Sequence, residues 1–275
     1  MNIDQALQYG KQGLSGSESP EIDSQYLLCY VLDCAHHYLH TWSDQTLTTQ
    51  QQQQFEQLVS ERKQGKPIAH LIGQRGFWTL DLKVTADTLI PRPETELLVT
   101  LALEKITSQM RIADLGTGTG AIALSIAKEH PETVIFATDY SQAALDVAHY
   151  NAQHYALHNV HFWQGSWLDA VATHSLDMII SNPPYIEQND PHLQQGDVRF
   201  EPITALSSGS DGLDDIRQIV RQAAKCLNPA GYLLIEHGYN QAEQIMQLFQ
   251  GAGFMNIKSE QDLGGKNRVV MGVKA

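Results

Sequence analysis

From residue 110 onward the chain alternates short apolar runs with amphipathic stretches, and this alternation restricts the fold more than any other feature. MRIADLG (110–116), TVIFATD (133–139), NVHFWQG (159–165), LDMIISN (176–182) and AGYLLIEHG (230–238) read as strands. Between them, TGAIALSIAKEH (119–130), SQAALDVAHYNAQHY (141–155), 211–227 and 240–251 read as helices. Such alternation of strands and helices specifies a mostly parallel sheet with helices on both faces. The late runs FMNIKSE and RVVMGVKA, with a short turn between them, predict an antiparallel partner at the sheet edge.

The first seventy residues carry a different pattern. Ile3, Ala6, Leu7 and Leu14 recur at helical spacing, as do Ile22, Tyr26, Leu27, Tyr30 and Val31. Ser19-Pro20-Glu21 offers a helix start, with Pro20 at the first position. Thr48 or Thr49 is placed to cap a further helix that buries Phe55, Leu58 and Val59, with Gln50–Gln54 on a solvated face. Residues 74–90 then switch to Phe77, Leu80, Leu82, Val84, a strand-like spacing that predicts a hairpin. IPRPETE (90–96) opens a helix, since Pro93 suits its first position and Glu94 and Glu96 favour its positive end. The expected organisation is a helical recognition domain at 1–73, a hairpin linker at 74–88 and an α/β domain at 89–275.

The net charge of −13 falls on both parts, with four basic and eight acidic residues among the first 72. Such a surface repels phosphate at long range and attracts a basic partner. It carries no basic stripe of the kind that binds nucleic acid. Cys29, Cys34 and Cys226 form no CxxC pattern and are expected to be reduced thiols. The opening MNIDQALQYG lacks the basic and apolar regions of a secretory leader, so a cytoplasmic protein is expected. The histidines, His36, His37 and His40 included, show no metal-ligand spacing, and no metal site is expected.

ADLGTGTGAIAL (113–124) combines a strand end, a glycine turn and a helix start. Gly116, Gly118 and Gly120 allow a tight turn and close approach of a ligand to the backbone. Ligands of open parallel sheets bind at the carboxyl ends of the strands. Asp139, which ends the next strand, is placed to accept hydrogen bonds from ribose hydroxyls. A nicotinamide dinucleotide or S-adenosylmethionine meets these requirements. The spacing DLGTGTG departs from the G-x-G-x-x-G of a dinucleotide site. An acidic group such as Asp114 suits the ammonium of the methyl donor, and Trp167 offers a face for adenine. Together these features favour S-adenosylmethionine.

Asn182-Pro183-Pro184-Tyr185 ends the apolar strand LDMIIS, which should lie beside the glycine strand. The two prolines stiffen the backbone. The Asn182 side-chain oxygen and the Pro183 carbonyl are two acceptors, matching the two hydrogens of an NH₂ group. An amide or aromatic amine is a poor nucleophile, and holding both hydrogens turns its lone pair toward the methyl donor and stabilises the charge that develops. Tyr185 is placed to lie against a planar substrate. No strong base is needed, because the methylated cationic nitrogen is itself acidic.

Across essentially its whole length the chain resembles the glutamine-N5 methyltransferases that modify peptide chain release factors. The resemblance is carried by PIAHLIG (67–73), FWTLDLKV (77–84), IPRPETE, DLGTGTGAIAL, SNPPYI and VRFEP (198–202). NPPY alone is shared with amino-methylating DNA enzymes, whereas IPRPETE after a helical domain is more specific. The resemblance implies a Rossmann-like S-adenosylmethionine-dependent methyltransferase sheet, a small N-terminal helical bundle and a β-hairpin linker. It implies donor binding by Gly116, Thr117, Gly118, Thr119, Gly120, Asp139, Trp167 and Asn182. It implies substrate binding by Asn182, Pro183, Pro184 and Tyr185, with catalysis by Asn182, Pro183 and Tyr185. The implied substrate is the glutamine of the GGQ tripeptide in class 1 release factors; from the charge no direct nucleic-acid binding is expected, and a monomer is expected. The long connection from Tyr185 to Asp211 fits a substrate loop. Within it, Arg199 and Glu201 are expected to hold the loop to its own domain rather than to bond a substrate.

Overall fold

The computed structural model describes residues 1–275 and divides into two compact units. One comprises residues 1–74 together with 195–200; the other comprises 75–194 and 201–275. No helix is long and apolar enough to cross a membrane.

The first unit is helical: α1 (Ile3–Gly13), α2 (Pro20–Leu32), α3 (His36–Thr41), α4 (Thr49–Lys63) and α5 (Ile68–Ile72). Asn2 and Thr48 close capping boxes with Gln5 and Gln51, satisfying N–H groups that a helix start leaves free. Ser19 precedes Pro20 as expected but makes no capping bond; its hydroxyl turns to Asp23 at 3.0 Å. The α2 face departs from its apolar spacing. Asp23, Ser24, Leu27 and Leu28 are buried, while Ile22, Tyr26 and Tyr30 are exposed. Two contacts account for the rotation. Gly10 of α1 leaves room that Ser24 fills, since a Cβ there would stand 2.2 Å from the Ser24 hydroxyl. Asp23 receives Arg62 of α4 at 2.8 Å. Close packing through small residues and a paired carboxylate outweigh the apolar pattern. The 195–200 segment joins this unit through Asp197, bonded by Arg62 at 2.7 Å, and Arg199, which donates to the Gln64 carbonyl at 2.9 Å.

The second unit begins with a hairpin of β1 (Gln74–Phe77) and β2 (Leu80–Lys83). A 3-10 turn at Pro93–Thr95 leads into α6 (Glu96–Leu103). There follow β3 (Arg111–Leu115), α7 (Ala121–Glu129), β4 (Val134–Asp139), α8 (Gln142–His154), β5 (Val160–Gln164) and β6 (Leu176–Ser181). After the long loop come α9 (Asp214–Cys226), β7 (Leu227–Glu236), α10 (Ala242–Gly251), β8 (Phe254–Gln261) and β9 (Asn267–Lys274). The sheet runs β5-β4-β3-β6-β7-β9-β8, parallel through β7, with β9 antiparallel to both β7 and β8. Side chains alternate across it: Ile112, Met178 and Ile180 join α6 and α7 on one face, and Ala113, Leu115 and Ile179 join α9 and α10 on the other. Both faces are covered, so the central strands read as continuous apolar runs.

One asparagine ties the hairpin to both α8 and the glycine turn, beside bonds from Tyr155 and Glu96 to the hairpin backbone. Asn151 of α8 accepts the Lys83 N–H at 2.8 Å and donates to the carbonyls of Lys83 at 3.1 Å and Thr119 at 2.9 Å. It is 1% exposed, and its bonds tie β2 to the glycine turn.

Candidate active site

Strand register decides what meets at the carboxyl edge of the sheet. Leu115 pairs with Thr138 on one side and Ser181 on the other, and Ser181 pairs with Ile235. Asp139, Gly116, Asn182 and Glu236 therefore form one row across four neighbouring strands. At about 4.8 Å between strands, the backbones of Gly116 and Asn182 are immediate neighbours.

On the glycine side of this row, the turn is built around two carboxyls, Asp114 buried and Asp139 partly buried. Asp114 accepts from the Thr117 hydroxyl at 2.7 Å and the Ala123 N–H at 3.1 Å, both through Oδ2. Its Oδ1 is buried without a partner. Burial pushes the Asp114 carboxyl up to about 6, opposed by the bonds from Thr117 and Ala123 and reinforced by Asp139. Asp139 accepts from the N–H groups of Gly118 and Ser141, each at 2.9 Å, and burial raises its pKa as well. Gly116, Gly118 and Gly120 all have positive φ. Around Gly118 no atom lies within 4 Å of a Cβ position, whereas at Gly120 a Cβ would stand 2.9 Å from the Leu124 side chain. Trp167, with φ 51, lays its ring against Gly116. Thr117 and Thr119 are buried in the turn. An unpaired buried carboxylate oxygen, open backbone and an aromatic face fit a ligand with an ammonium and a nucleoside, as S-adenosylmethionine has.

Beyond β6, Asn182 and Tyr185 are partly buried, and Pro183 and Pro184 are buried. The Asn182 Nδ2 donates to Thr95 Oγ1 at 3.2 Å, a bond in which its acceptor Oδ1 takes no part. Burial pushes the nearby Glu236 carboxyl up to about 7, and Thr95 is among the groups opposing the rise. Tyr185 is fixed through its backbone: its N–H bonds the Leu206 carbonyl at 3.2 Å and its carbonyl accepts from Gln241 at 3.0 Å. Burial pushes its phenol up to about 12, so it stays neutral.

IPRPETE supplies the bracing. Glu201 of VRFEP accepts from the Ile90 N–H at 3.0 Å and from Arg92 at 2.5 Å. Thr95 meets Asn182, and Glu96 accepts the Trp78 N–H at 2.9 Å. Glu201 bonds the α/β domain as expected, whereas Arg199 bonds Gln64 of the helical unit, to which residues 195–200 belong. Two site neighbours, Thr95 and Glu236, escape a sequence reading. For Glu236 the signal was present, an acidic residue ending an apolar strand just as Asp139 does.

The row at the strand ends, the order of the sheet and its antiparallel β9 define a Rossmann-like S-adenosylmethionine-dependent methyltransferase. Family models match on both sides of the hairpin: the PrmC N-terminal domain over residues 5–73 and the methyltransferase small domain over 93–198. A release factor glutamine methyltransferase of Aliivibrio fischeri is 46% identical over 94% of this chain and 92% of its own. That of Escherichia coli is 46% identical over 94% of each chain. A methyltransferase structure from Pyrococcus furiosus superposes with a TM-score of 0.56 at 17% identity, covering 78% of this chain and 97% of its own, a likeness of fold. The chain belongs to the release factor glutamine methyltransferase family.

Proposed function

We propose that this chain transfers a methyl group from S-adenosylmethionine to the side-chain amide nitrogen, N5, of the glutamine in the GGQ tripeptide of class 1 peptide chain release factors. The observation that carries the reading is the Asn182 amide, whose NH₂ donates to Thr95 so that its oxygen takes no part in that bond, at the end of the strand beside the glycine turn.

S-adenosylmethionine, when bound, supplies a methyl on a positively charged sulfur. Gly116, Thr117, Gly118, Thr119 and Gly120 would line its methionine and ribose portions, with Asp139 accepting ribose hydroxyls, Trp167 facing the adenine and Asn182 alongside. Asp114 Oδ1 is the group that suits its ammonium. Asn182 Oδ1 and the Pro183 carbonyl accept the two N–H hydrogens of the substrate amide, and Pro184 keeps that carbonyl rigid. Gripped this way, the nitrogen presents its lone pair and gains acceptors for the charge that grows on it. Tyr185, neutral and held at its backbone, covers the planar amide. The proton leaves after methylation without a dedicated base, because the methylated amide is a strong acid.

Net charge of −13 suits a basic protein partner better than a nucleic acid. A substrate that works in translation makes a cytoplasmic monomer the natural form of the enzyme. The test is incubation with labelled S-adenosylmethionine and either a purified release factor or DNA, followed by mass mapping. Label on the GGQ glutamine is expected; label on a base, or on another residue, would refute the assignment. In the same assay, Asn182→Ala should slow turnover by about a hundred-fold.

A further inference from the structure

We propose that Gln241 is a positioning residue for methyl transfer: its side-chain amide clamps the backbone of Tyr185 and so aims the Tyr185 ring at the substrate amide. The inference rests on the reading of Tyr185 as the group that covers that amide.

Pro183 and Pro184 stiffen the end of β6 but bring no N–H by which that segment could be held. Tyr185 is the first residue after them that can be held at both of its peptide groups. Its N–H donates to the Leu206 carbonyl at 3.2 Å, and its carbonyl accepts from Gln241 Nε2 at 3.0 Å. Fixing the peptide groups on both sides of a residue fixes its φ and ψ, and with them the direction in which the side chain leaves the backbone. The same Nε2 lies 3.5 Å from the Asp211 carbonyl, so one NH₂ clasps both ends of the 186–210 connection. No side chain would fit between them. At Gly212, where φ is +74, a Cβ would stand 2.2 Å from the Tyr185 carbonyl oxygen and 2.8 Å from Gln241 Nε2.

Gln241 serves this contact rather than its own helix. It stands at the start of α10, where a side chain ordinarily accepts from the free N–H groups of the first turn, yet it makes no such bond. Its Oε1 accepts instead from the Gly238 N–H at 2.9 Å, while its own backbone N–H donates to the Gly238 carbonyl at 3.0 Å. An N–H only donates and a carbonyl only accepts, so Gly238 on one side and Tyr185 on the other leave a single orientation for the amide. Gln241 is 7% exposed, so water competes little for these bonds. Gly238 directly follows the end of β7, the strand paired with β6. The clamp therefore refers Tyr185, in the loop after β6, to the rigid edge of the adjoining strand.

The experiment measures donor Kd by calorimetry and, on a purified release factor, kcat per donor-binding site. It compares wild type with Gln241→Glu, Gln241→Met, Tyr185→Ala and the Q241E/Y185A double variant. Gln241→Glu keeps the acceptor for Gly238 and loses the NH₂, whereas Gln241→Met loses both. Each should lower kcat by about tenfold to a hundred-fold, the scale of a displaced reacting group, with donor Kd unchanged. Tyr185→Ala should be slow by itself, and Q241E/Y185A no slower than Tyr185→Ala. A merely structural role in closing the turn predicts a different pattern, Gln241→Glu near wild type and Gln241→Met impaired. That pattern overturns the inference. So does a donor Kd that worsens in step with kcat, or a double variant slower than Tyr185→Ala by the full effect of Gln241→Glu. In those cases a slow Tyr185→Ala still upholds the Tyr185 reading. Near-normal turnover in Tyr185→Ala overturns the reading and the inference together. If one Gln241 variant does not fold, the other, alone and combined with Tyr185→Ala, decides.

Discussion

The carboxylate of Asp139 accepts a hydrogen bond from the backbone N–H of Gly118 at 2.9 Å, joining the end of one strand to the turn that follows its neighbour. The same carboxylate accepts from Ser141, so it holds both the turn and the start of α8. Asp139→Ala removes these bonds along with the proposed ribose acceptor. Hydrogen bonds to charged groups are worth about 1.5–3 kcal/mol, so donor Kd should rise by about tenfold or more. Calorimetry of S-adenosylmethionine binding checks this, with Asp139→Asn expected to fall between.

Asp114 makes donor binding depend on pH. Its carboxyl is raised from 3.8 to about 6, so between those values the folded protein keeps a proton that the unfolded chain has lost. Its contribution to stability is therefore greatest below the lower value and declines as pH rises toward about 6. Binding an ammonium needs the ionised form and follows the opposite course. Donor Kd should tighten as pH climbs through about 6, and Asp114→Asn should abolish that part of the slope. A slope unchanged in the variant would separate Asp114 from the ammonium.

At Gly120 the turn has no tolerance for a side chain. Its φ of +85 is left-handed, and an added Cβ would press on Leu124, which is fully buried, at 2.9 Å. Gly120→Ala should lower stability by about 1–2 kcal/mol from backbone strain alone, with the crowding at Leu124 adding to it. Chemical unfolding of the apo protein reads the loss directly.

Arg62 holds residues 195–200 to the helical unit through Asp197 while bonding the buried Asp23. Arg62→Met keeps much of the stem and deletes the bonds. A cost of about 2 kcal/mol is expected, mostly from Asp23 left buried with fewer partners. Limited proteolysis should cut the 186–210 loop faster in the variant than in the wild type.

The hairpin at 74–83 shows how far spacing reaches. Alternation of Phe77, Leu80 and Leu82 sufficed to place its strands, because side chains on a strand face opposite sides. That Asn151 would bind it to Thr119 was invisible, since the partners stand 68 and 32 residues away. The same division runs through α2, where helical periodicity placed the helix but Gly10 and Arg62 decided which side turned inward.

By itself the sequence determined the parallel sheet, the glycine turn, the acidic residue ending β4 and the rigid polar end of β6. Each of these is written in neighbouring residues, through periodicity, proline stiffness or the missing Cβ of glycine. Only the tertiary structure decided that Thr95 bonds Asn182, that Glu236 ends the neighbouring strand, and that Glu201 braces IPRPETE. Those contacts join residues far apart in the chain, and strand order and register, which bring them together, follow from the packing of the whole sheet.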